Sequence, residues 1–367
     1  FKDGYTPTSE VISFRTSKDE LANHSRVTNT VIDNFSNPER QDSDTWVAIY
    51  GKNNRFDHNS LIDKRTRGVT LAVRMNTEAS REMLLDYADE INHFDSHLGK
   101  IIAALEAAGE LDNTLVIVTA DNGMPMPRAK ANGYDYGIHV PLAIRWGKER
   151  DKGKVIDVPV GFVDLSATIL DAAGLDIPEQ FVGQSLTGLL SGKDENLDPG
   201  REVFSGRERH SSSRYQNQSY PQRMMRRGDF LIIWTARPDL DPAGQAQNIV
   251  DGELSAPHSA YFDIDDSMIK RELLAKRDDP YFGRFFHLAV DKRPEWQFYN
   301  VKEDPDSLND LADDPDHAEI FASYRKQLTD TLLETGDPRV SGYGHVWDDY
   351  PRVRGKMRYF PKPDGND

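Results

Sequence analysis

Apolar positions along this chain fall into a few patterned stretches, the clearest of which is residues 77–108. Large apolar side chains recur there at steps of three and four, at Leu84, Tyr87, Ile91, Phe94, Leu98, Ile101 and Leu105. That spacing puts them on one face of a helix. Asn76 and Thr77 are suitable N-caps, and Gly109 is a suitable stop. The pattern predicts a long amphipathic helix over 77–108.

A strand is predicted directly after this helix. Residues 115–118 form a continuous aliphatic run, typical of a parallel strand that is covered on both faces. A second apolar run follows at 143–146. A helix followed by a buried strand is the repeating unit of a parallel α/β sheet. We therefore predict an α/β domain over residues 1–195.

The second half of the chain has a different pattern. Residues 191–200 are polar and rich in turn formers, which indicates a boundary. Strand-like pieces follow at 202–205, 223–225, 230–235 and 297–300, and residues 315–333 have helical periodicity. Residues 236–257, rich in Pro, Gly and Asp, are expected to form a mobile excursion. Residues 196–367 are thus predicted to be a smaller α+β subdomain, an antiparallel sheet carrying a helix. No internal repeat is evident.

The first candidate site residues follow the strand predicted at 115–118, in the triplet Asp121-Asn122-Gly123. Ligands of open α/β sheets bind in the crevice beyond such strand ends. A carboxylate and an amide oxygen suit Ca²⁺ or Mg²⁺ better than zinc, which prefers nitrogen and sulfur ligands. On its own the triplet is more often a plain turn. Asp121 and Asn122 are therefore candidate metal ligands that need further support.

The residues around this turn resemble the sulfatase branch of the alkaline-phosphatase superfamily. Lys130 stands four residues before the Tyr134-x-x-Gly137 turn, and Val140-Pro141 leads into an apolar strand. Segments 163–175, 183–190 and 296–311 extend the resemblance in the same order. The pattern Asp-Asn-Gly-x-Pro-x-Pro at 121–127, with segments 205–210 and 219–223, is most similar to the N-sulfoglucosamine sulfohydrolase (heparan N-sulfatase) group.

The resemblance implies a fold, a reaction and a set of site residues. The fold would be a mostly parallel sheet flanked by helices. The reaction would be hydrolysis of a sulfuric ester or sulfamate on a sulfated polysaccharide such as a glycosaminoglycan. A divalent metal, Ca²⁺ or Mg²⁺, and a formylglycine nucleophile would take part. Beyond the metal ligands Asp121 and Asn122, it suggests catalytic roles for Lys130, His58 and His139, and substrate contacts for Arg128, Arg207, Arg209, His210 and Arg223.

Two departures from the sulfatase pattern affect these expectations. The chain has no Cys and no Ser-x-Pro-Ser-Arg motif from which a formylglycine could be made. The nucleophile is therefore expected outside this chain, on a separate N-terminal fragment or a lost segment. Residues 45–50 resemble a family strand, but the His-x-Pro-His turn expected after it is replaced by residues 51–58, which keep only His58. The open alternatives are a catalytically incomplete sulfatase-like protein with a glycan-binding or structural role, and a phosphoesterase of the same superfamily.

The net charge of the chain restricts the kinds of partner it can bind. The formal net charge of −16 disfavours nucleic acid, which requires a basic face. A sulfated substrate would need a locally positive pocket, and we expect Lys130 and residues 207–210 to form it together. Residues 223–227 are basic too, although an exposed strand face would explain them equally well. No run approaches the ~20 apolar residues of a membrane span. The sulfatase resemblance implies a periplasmic or extracellular protein.

Overall fold

The computed structural model describes residues 75, 77–147, 155–193, 197–352 and 357–363, together with the backbone of six short strands within the first 62 residues. Contacts divide the chain into two units, Phe1–Glu82 and Met83–Asp367. This division differs from the boundary at 195/196 expected from the sequence. Each unit is described separately below.

The first unit contains three pairs of parallel strands. They are β1 (Glu10–Phe14), β2 (Arg26–Thr28), β3 (Val31–Asp33), β4 (Thr45–Ile49), β5 (Arg55–Asp57) and β6 (Ser60–Ile62). Strands β1, β2 and β3 pair with β4, β5 and β6 respectively. Glu10 therefore lies opposite Thr45, Arg26 opposite Arg55 and Val31 opposite Ser60. Parallel stacking in this order is typical of two successive coils of a parallel β-helix.

This pairing corrects the expectation that the chain has no internal repeat. The two coils repeat one strand pattern, which the sequence reveals only weakly because it rests on short segments such as 26–33 and 55–62. The strand expected at 45–50 is present as β4, and its partner is β1.

The boundary between the units falls within the first turns of a long helix, and a strand pair follows that helix in the second unit. Helix α1 (Glu78–Ala107) is followed by β7 (Leu115–Thr119), α2 (Asp135–Ile138) and β8 (Leu142–Trp146). The amide of Ser80 donates to Thr77 Oγ1 at 3.2 Å, and Gly109 takes a left-handed conformation, as the capping prediction requires. β7 pairs with β8 in antiparallel orientation and is only partly buried. The expected parallel pairing of a strand covered on both faces is therefore not seen for β7 among the described residues.

A four-stranded antiparallel sheet forms the centre of the second unit. Its order is β14 (Trp296–Asn300), β11 (Phe230–Thr235), β10 (Gln222–Arg227) and β9 (Glu202–Arg207). The remaining elements are α3 (Phe162–Ala172), α4 (Thr187–Leu190), β12 (Ile249–Val250), β13 (Glu253–Leu254), α5 (Met268–Ala275), α6 (Gly283–Val290), α7 (Ala318–Glu334) and α8 (His345–Asp348). The predicted antiparallel sheet with a C-terminal helix is confirmed. No helix in the described residues is long and apolar enough to cross a membrane.

The sheet is covered on both faces, and its central strand β11 is accordingly apolar over residues 230–234. Because side chains alternate along a strand, Met225 and Ile232 face helix α7, where they meet Phe298 and Leu328. On the opposite face, Met224, Leu231 and Ile233 pack with Tyr134, Tyr299 and Val301. Tyr134 belongs to the turn that follows Lys130. The second face therefore fixes the segment carrying the candidate site chemistry onto the sheet.

Residues 236–257 are packed rather than free. Leu240 and Ala243 are buried, and Gln245 donates its backbone amide to Ser213 O at 2.9 Å. Strands β12 and β13 form a hairpin within this segment. The expectation of a mobile excursion is wrong. It rested on the polar composition of the segment, which does not reveal its contacts with residues 211–214.

Candidate functional site

The Asp-Asn-Gly turn at the end of β7 packs against the Tyr-x-x-Gly turn. Gly123 donates its amide to Gly137 O at 3.2 Å. A Cβ on Gly123 would lie 1.9 Å from the carbonyl oxygen of Tyr136, and a Cβ on Gly137 would lie 2.1 Å from that of Asn132. Both positions therefore require glycine. The two motifs occur together in the sequence because their backbones touch.

Asp121 and Asn122 present two oxygen ligands at this turn. Asp121 is exposed, and Asn122 Nδ2 donates to Gly123 O at 2.8 Å, which leaves Oδ1 as the free acceptor of that amide. Oxygen donors of this kind suit calcium, which takes six to eight of them. The described residues contain no group of three His, Asp or Glu side chains able to hold a metal. Asp121 and Asn122 thus fit the chemistry of a calcium site and would supply part of its coordination sphere.

We predict that Asp121→Ala weakens calcium binding by the protein at least tenfold, because it removes the only charged ligand of the pair. Asn113→Ala is the matched control. Asn113 stands before the other end of β7 and contacts only Glu110 among the described side chains. Calorimetric titration with calcium measures both variants. Equal losses from the two substitutions would contradict the assignment.

Lys130 lies on a strained loop beside the sheet. Its neighbours Arg128 and Ala131 both have left-handed backbones, with φ of 65° and 61°. Such conformations are uncommon for residues other than glycine and concentrate at functional sites. Lys130 Nζ forms an ion pair with Asp265 Oδ2 at 2.9 Å and is partly exposed. Its ammonium group is therefore already held against an anion at the surface of the unit.

A buried carboxylate, Asp263, organises residues 207–214. Arg214 donates to its Oδ2 at 2.6 Å and Arg207 at 2.7 Å, and Ser211 Oγ donates to Oδ1 at 3.0 Å. Burial alone would raise the pKa of Asp263, but the two guanidinium groups outweigh burial and hold that pKa far below its usual range. His210 Nδ1 stands 3.4 Å from Asp263 Oδ1, and 28% of the histidine side chain is exposed. Asp263 thus contacts His210 through its Nδ1 nitrogen.

Arg207 has donors without partners. Its side chain is only 8% exposed, and burial lowers its pKa to about 10 despite the opposing charge of Asp263. Nη2 is used by Asp263 and Pro242 O, whereas the buried Nε and Nη1 have no hydrogen-bond partner. Unpaired buried donors are costly and usually mark a missing ligand or water. Each of these two unpaired donors could bind an oxyanion.

Lys130 and residues 207–210 meet at one loop, which the sequence did not single out. Lys130 contacts Asp265, while Arg207 and His210 contact Asp263, two residues earlier. This segment, residues 263–265, was missed because its acidic composition is typical of a solvated loop. The only signal available was that three basic groups in an acidic chain need carboxylate partners.

Three arginines expected to contact substrate are instead committed to internal contacts. Arg128 is buried over the Tyr134 ring at 3.9 Å and donates to the carbonyl of Ser307 at 2.7 Å. Arg223 pairs with Glu208 and Asp337 at 2.7 and 2.6 Å. Arg209 donates to two backbone carbonyls, those of Asn217 and Trp347. Their guanidinium groups make these internal contacts, and the substrate role of all three stays a prediction.

Of the two remaining candidate histidines, the structure describes His139 only. His139 is three-quarters exposed and pairs with Asp135 at 3.1 Å, and this hydrogen bond raises its pKa. It caps the short helix α2, which accounts for it structurally. His58 lies outside the described residues.

Comparisons with known proteins match the two units to different families. Residues 129–204 match the family model N-sulphoglucosamine sulphohydrolase, C-terminal, and residues 1–97 match the model Chondroitinase B. N-sulphoglucosamine sulphohydrolase of Homo sapiens is 26% identical over 275 residues, covering 72% of this chain and 50% of that protein. An ulvan-active sulfatase of Formosa agariphila is 23% identical, covering 68% and 38%.

A solved structure, a putative sulfatase from Bacteroides fragilis, aligns with a TM-score of 0.48 at 15% identity, covering 83% of this chain and 57% of that one. The predicted resemblance to the sulfatases is thereby confirmed by the curated relatives and the family model. Within them, the matched region corresponds to the C-terminal part of the N-sulphoglucosamine sulphohydrolase group. The chain spans half or less of the length of those two curated relatives.

Proposed function

We propose that this chain forms part of a sulfatase that hydrolyses a sulfate ester or sulfamate on a sulfated carbohydrate. The observation that carries the proposal is the meeting of Lys130, Arg207 and His210 at residues 263–265. Three groups that can be cationic converge there in a chain of net charge −16. Such a local concentration of positive charge is what an anionic substrate requires. The relatives named for N-sulfoglucosamine and ulvan support a glycan substrate.

In this proposal the residues of the chain bind the sulfate and handle one proton. Lys130 and one unpaired donor of Arg207, Nε or Nη1, would hold sulfate oxygens and stabilise charge growing on them. As the S–N or S–O bond breaks, His210 would give a proton to the leaving amine or alcohol. Asp263, 3.4 Å from His210 Nδ1, would keep the ring oriented. The products are the free sugar amine or alcohol and inorganic sulfate.

The proposal needs two further parts, a metal ion and a nucleophile. Asp121 and Asn122 would hold a calcium or magnesium ion, which would polarise sulfate oxygens when bound. A formylglycine, for which this sequence has no precursor motif, would supply the nucleophile. Export to the periplasm or the cell exterior fits the same proposal.

We expect Lys130→Ala to lower kcat about 10²–10³-fold in the full-length gene product, with little change in KM. The reason is that Lys130 acts most strongly as charge develops on the sulfate. Lys276→Ala is the matched control, because Lys276 also forms one partly exposed ion pair, with Glu272. Sulfate release from glucosamine N-sulfate in the presence of calcium measures both. A kcat unchanged by Lys130→Ala would remove this residue from the mechanism, and no sulfate release by the parent from any sulfated sugar would remove the proposed function.

The first unit supports a second, separate function. Its parallel strand pairs and its match to Chondroitinase B favour a piece of a carbohydrate-binding β-helix. His58 falls within this matched range, which argues against its role in a sulfatase site. Retardation of the whole chain in gels containing chondroitin sulfate, retained in Lys130→Ala, would support the idea. Equal mobility in chondroitin sulfate and in neutral dextran would contradict it.

A further inference from the structure

A cleft of about 500 Å³ opens beside the meeting point of Lys130 and residues 207–210. Residues that line it include Phe262, Asp265, Asp266, Lys270, Arg271 and Arg358. Its volume is typical of sites that take small molecules. All of these side chains belong to the second unit.

The cleft continues from the proposed sulfate site. Asp265, one of its walls, is the residue that pairs with Lys130 at 2.9 Å. Phe262, another wall, precedes Asp263 in the chain, and its carbonyl accepts a hydrogen bond from Ser211 Oγ at 3.0 Å. A ligand anchored at Lys130 and Arg207 that extends by one sugar residue past 262–265 would therefore enter this cleft.

The cleft is lined by more basic than acidic side chains. Its two carboxylates are each engaged, Asp265 with Lys130 and Asp266 with Arg271. Lys270 donates to two backbone carbonyls, those of Tyr261 and Ile264. Arg358 donates to the carbonyl of Ser212 and forms no ion pair with any described carboxylate. The cleft therefore keeps uncompensated positive charge while the chain as a whole is strongly negative.

Arg358 is also held in place. Its guanidinium carbon stands 4.0 Å from the centre of the Phe262 ring, and the hydrogen bond to Ser212 O fixes one edge of the group. A stacked guanidinium loses less freedom on binding an anion than a free one does. The side chain lines a cleft that a charged ligand can enter.

We propose that this cleft is a second subsite, which binds the acidic group of the sugar unit next to the one that carries the sulfate to be removed. The inference rests on the proposed sulfatase function and deepens it, since it makes the substrate an acidic oligosaccharide or polysaccharide rather than a single sugar. The acidic group is a carboxylate or a sulfate, the two anions that a guanidinium binds through paired hydrogen bonds.

The test is calorimetric binding to the whole chain at low salt, with three probes. Hyaluronan tetrasaccharide carries carboxylates alone, chondroitin sulfate tetrasaccharide carries both anions, and glucosamine N-sulfate is a single sugar. The variant is Arg358→Gln. Arg284→Gln is the matched control, because Arg284 is another exposed arginine stacked on an aromatic ring, Tyr281 at 4.3 Å, and it does not line the cleft.

Arg358→Gln should weaken tetrasaccharide binding about tenfold, as expected for a hydrogen bond to a charged group. It should leave glucosamine N-sulfate binding unchanged, and Arg284→Gln should change neither. Dependence on Arg358 for both tetrasaccharides assigns the acidic group as a carboxylate, and dependence for the chondroitin sulfate probe alone assigns it as a sulfate. Tetrasaccharide binding that is absent in the parent, or equal in parent and Arg358→Gln, would overturn the subsite. Arg358-dependent tetrasaccharide binding without any binding of glucosamine N-sulfate would count against the sulfatase site and leave the subsite standing.

Discussion

Asp263→Ala should destabilise the protein by about 3–5 kcal/mol, because it leaves the buried guanidinium groups of Arg207 and Arg214 without their common counter-charge. Both arginine side chains and the carboxylate are almost fully buried, so solvent cannot replace the lost contacts. The free energy of unfolding in urea measures the effect. Asp266→Ala removes an exposed partner of Arg271 three residues on and should be indistinguishable from the parent.

The same carboxylate gives the prediction a pH signature. The folded pKa of Asp263 lies far below the ~3.9 of an unfolded aspartate, so its contribution to stability is present above about pH 4 and is lost as the pH falls below it. Asp263→Asn should lack this acid-sensitive part and show a flatter stability curve below about pH 4. A variant that loses neither stability nor acid sensitivity would show that the arginines are satisfied in another way.

Gly123→Ala should be the second large effect, with a loss of about 3 kcal/mol or more. The added Cβ would stand 1.9 Å from a backbone oxygen, that of Tyr136, and backbone cannot move aside as a flexible side chain can. The Asp-Asn-Gly and Tyr-x-x-Gly turns would have to separate, and Lys130 would lose its position between them. Gly99→Ala is the control: Gly99 lies inside α1 with open space around it, so alanine there should be neutral or stabilising by about 0.5–1 kcal/mol.

Urea unfolding checks this pair of glycine variants, and limited proteolysis within residues 121–137 gives a second measure if Gly123→Ala folds poorly. An unfolding midpoint of Gly123→Ala equal to that of the parent would contradict the contact between the two turns.

Local elements of the second unit were predictable from the sequence. The long helix was expected over 77–108 and runs from Glu78 to Ala107, since its period, its cap at Thr77 and its stop at Gly109 are all local signals. Pairing was not predictable in the same way. The run 115–118 is as apolar as a doubly covered parallel strand, yet its described partner is antiparallel β8.

The apolar face of α1 illustrates the same limit. Ile91, Phe94 and Ile101 are each more than half exposed. Periodicity predicts which side of a helix is apolar but carries no information on what covers it. In the first unit, the β-helical repeat was missed because each strand is three to five residues long, too short for a period to stand out.

For the candidate site, too, local sequence signals were readable and long-range contacts were not. Motif order pointed to Asp121, Asn122 and Lys130 as candidates, and basic clustering pointed to residues 207–210. Neither signal could show that Arg128, Arg209 and Arg223 also bind carbonyl or carboxylate groups within the fold. Their partners are distant in sequence, as with Arg128 and Ser307, and only the folded chain brings them together.

The most direct test of the central claim is a crystal structure of the chain soaked with glucosamine N-sulfate. We predict a sulfate group within hydrogen-bond distance of Lys130 Nζ and of Arg207 Nε or Nη1, with the sugar nitrogen turned towards His210. A sulfate bound away from residues 263–265, with Lys130 still paired to Asp265 and the two Arg207 donors bridged only by water, would contradict it.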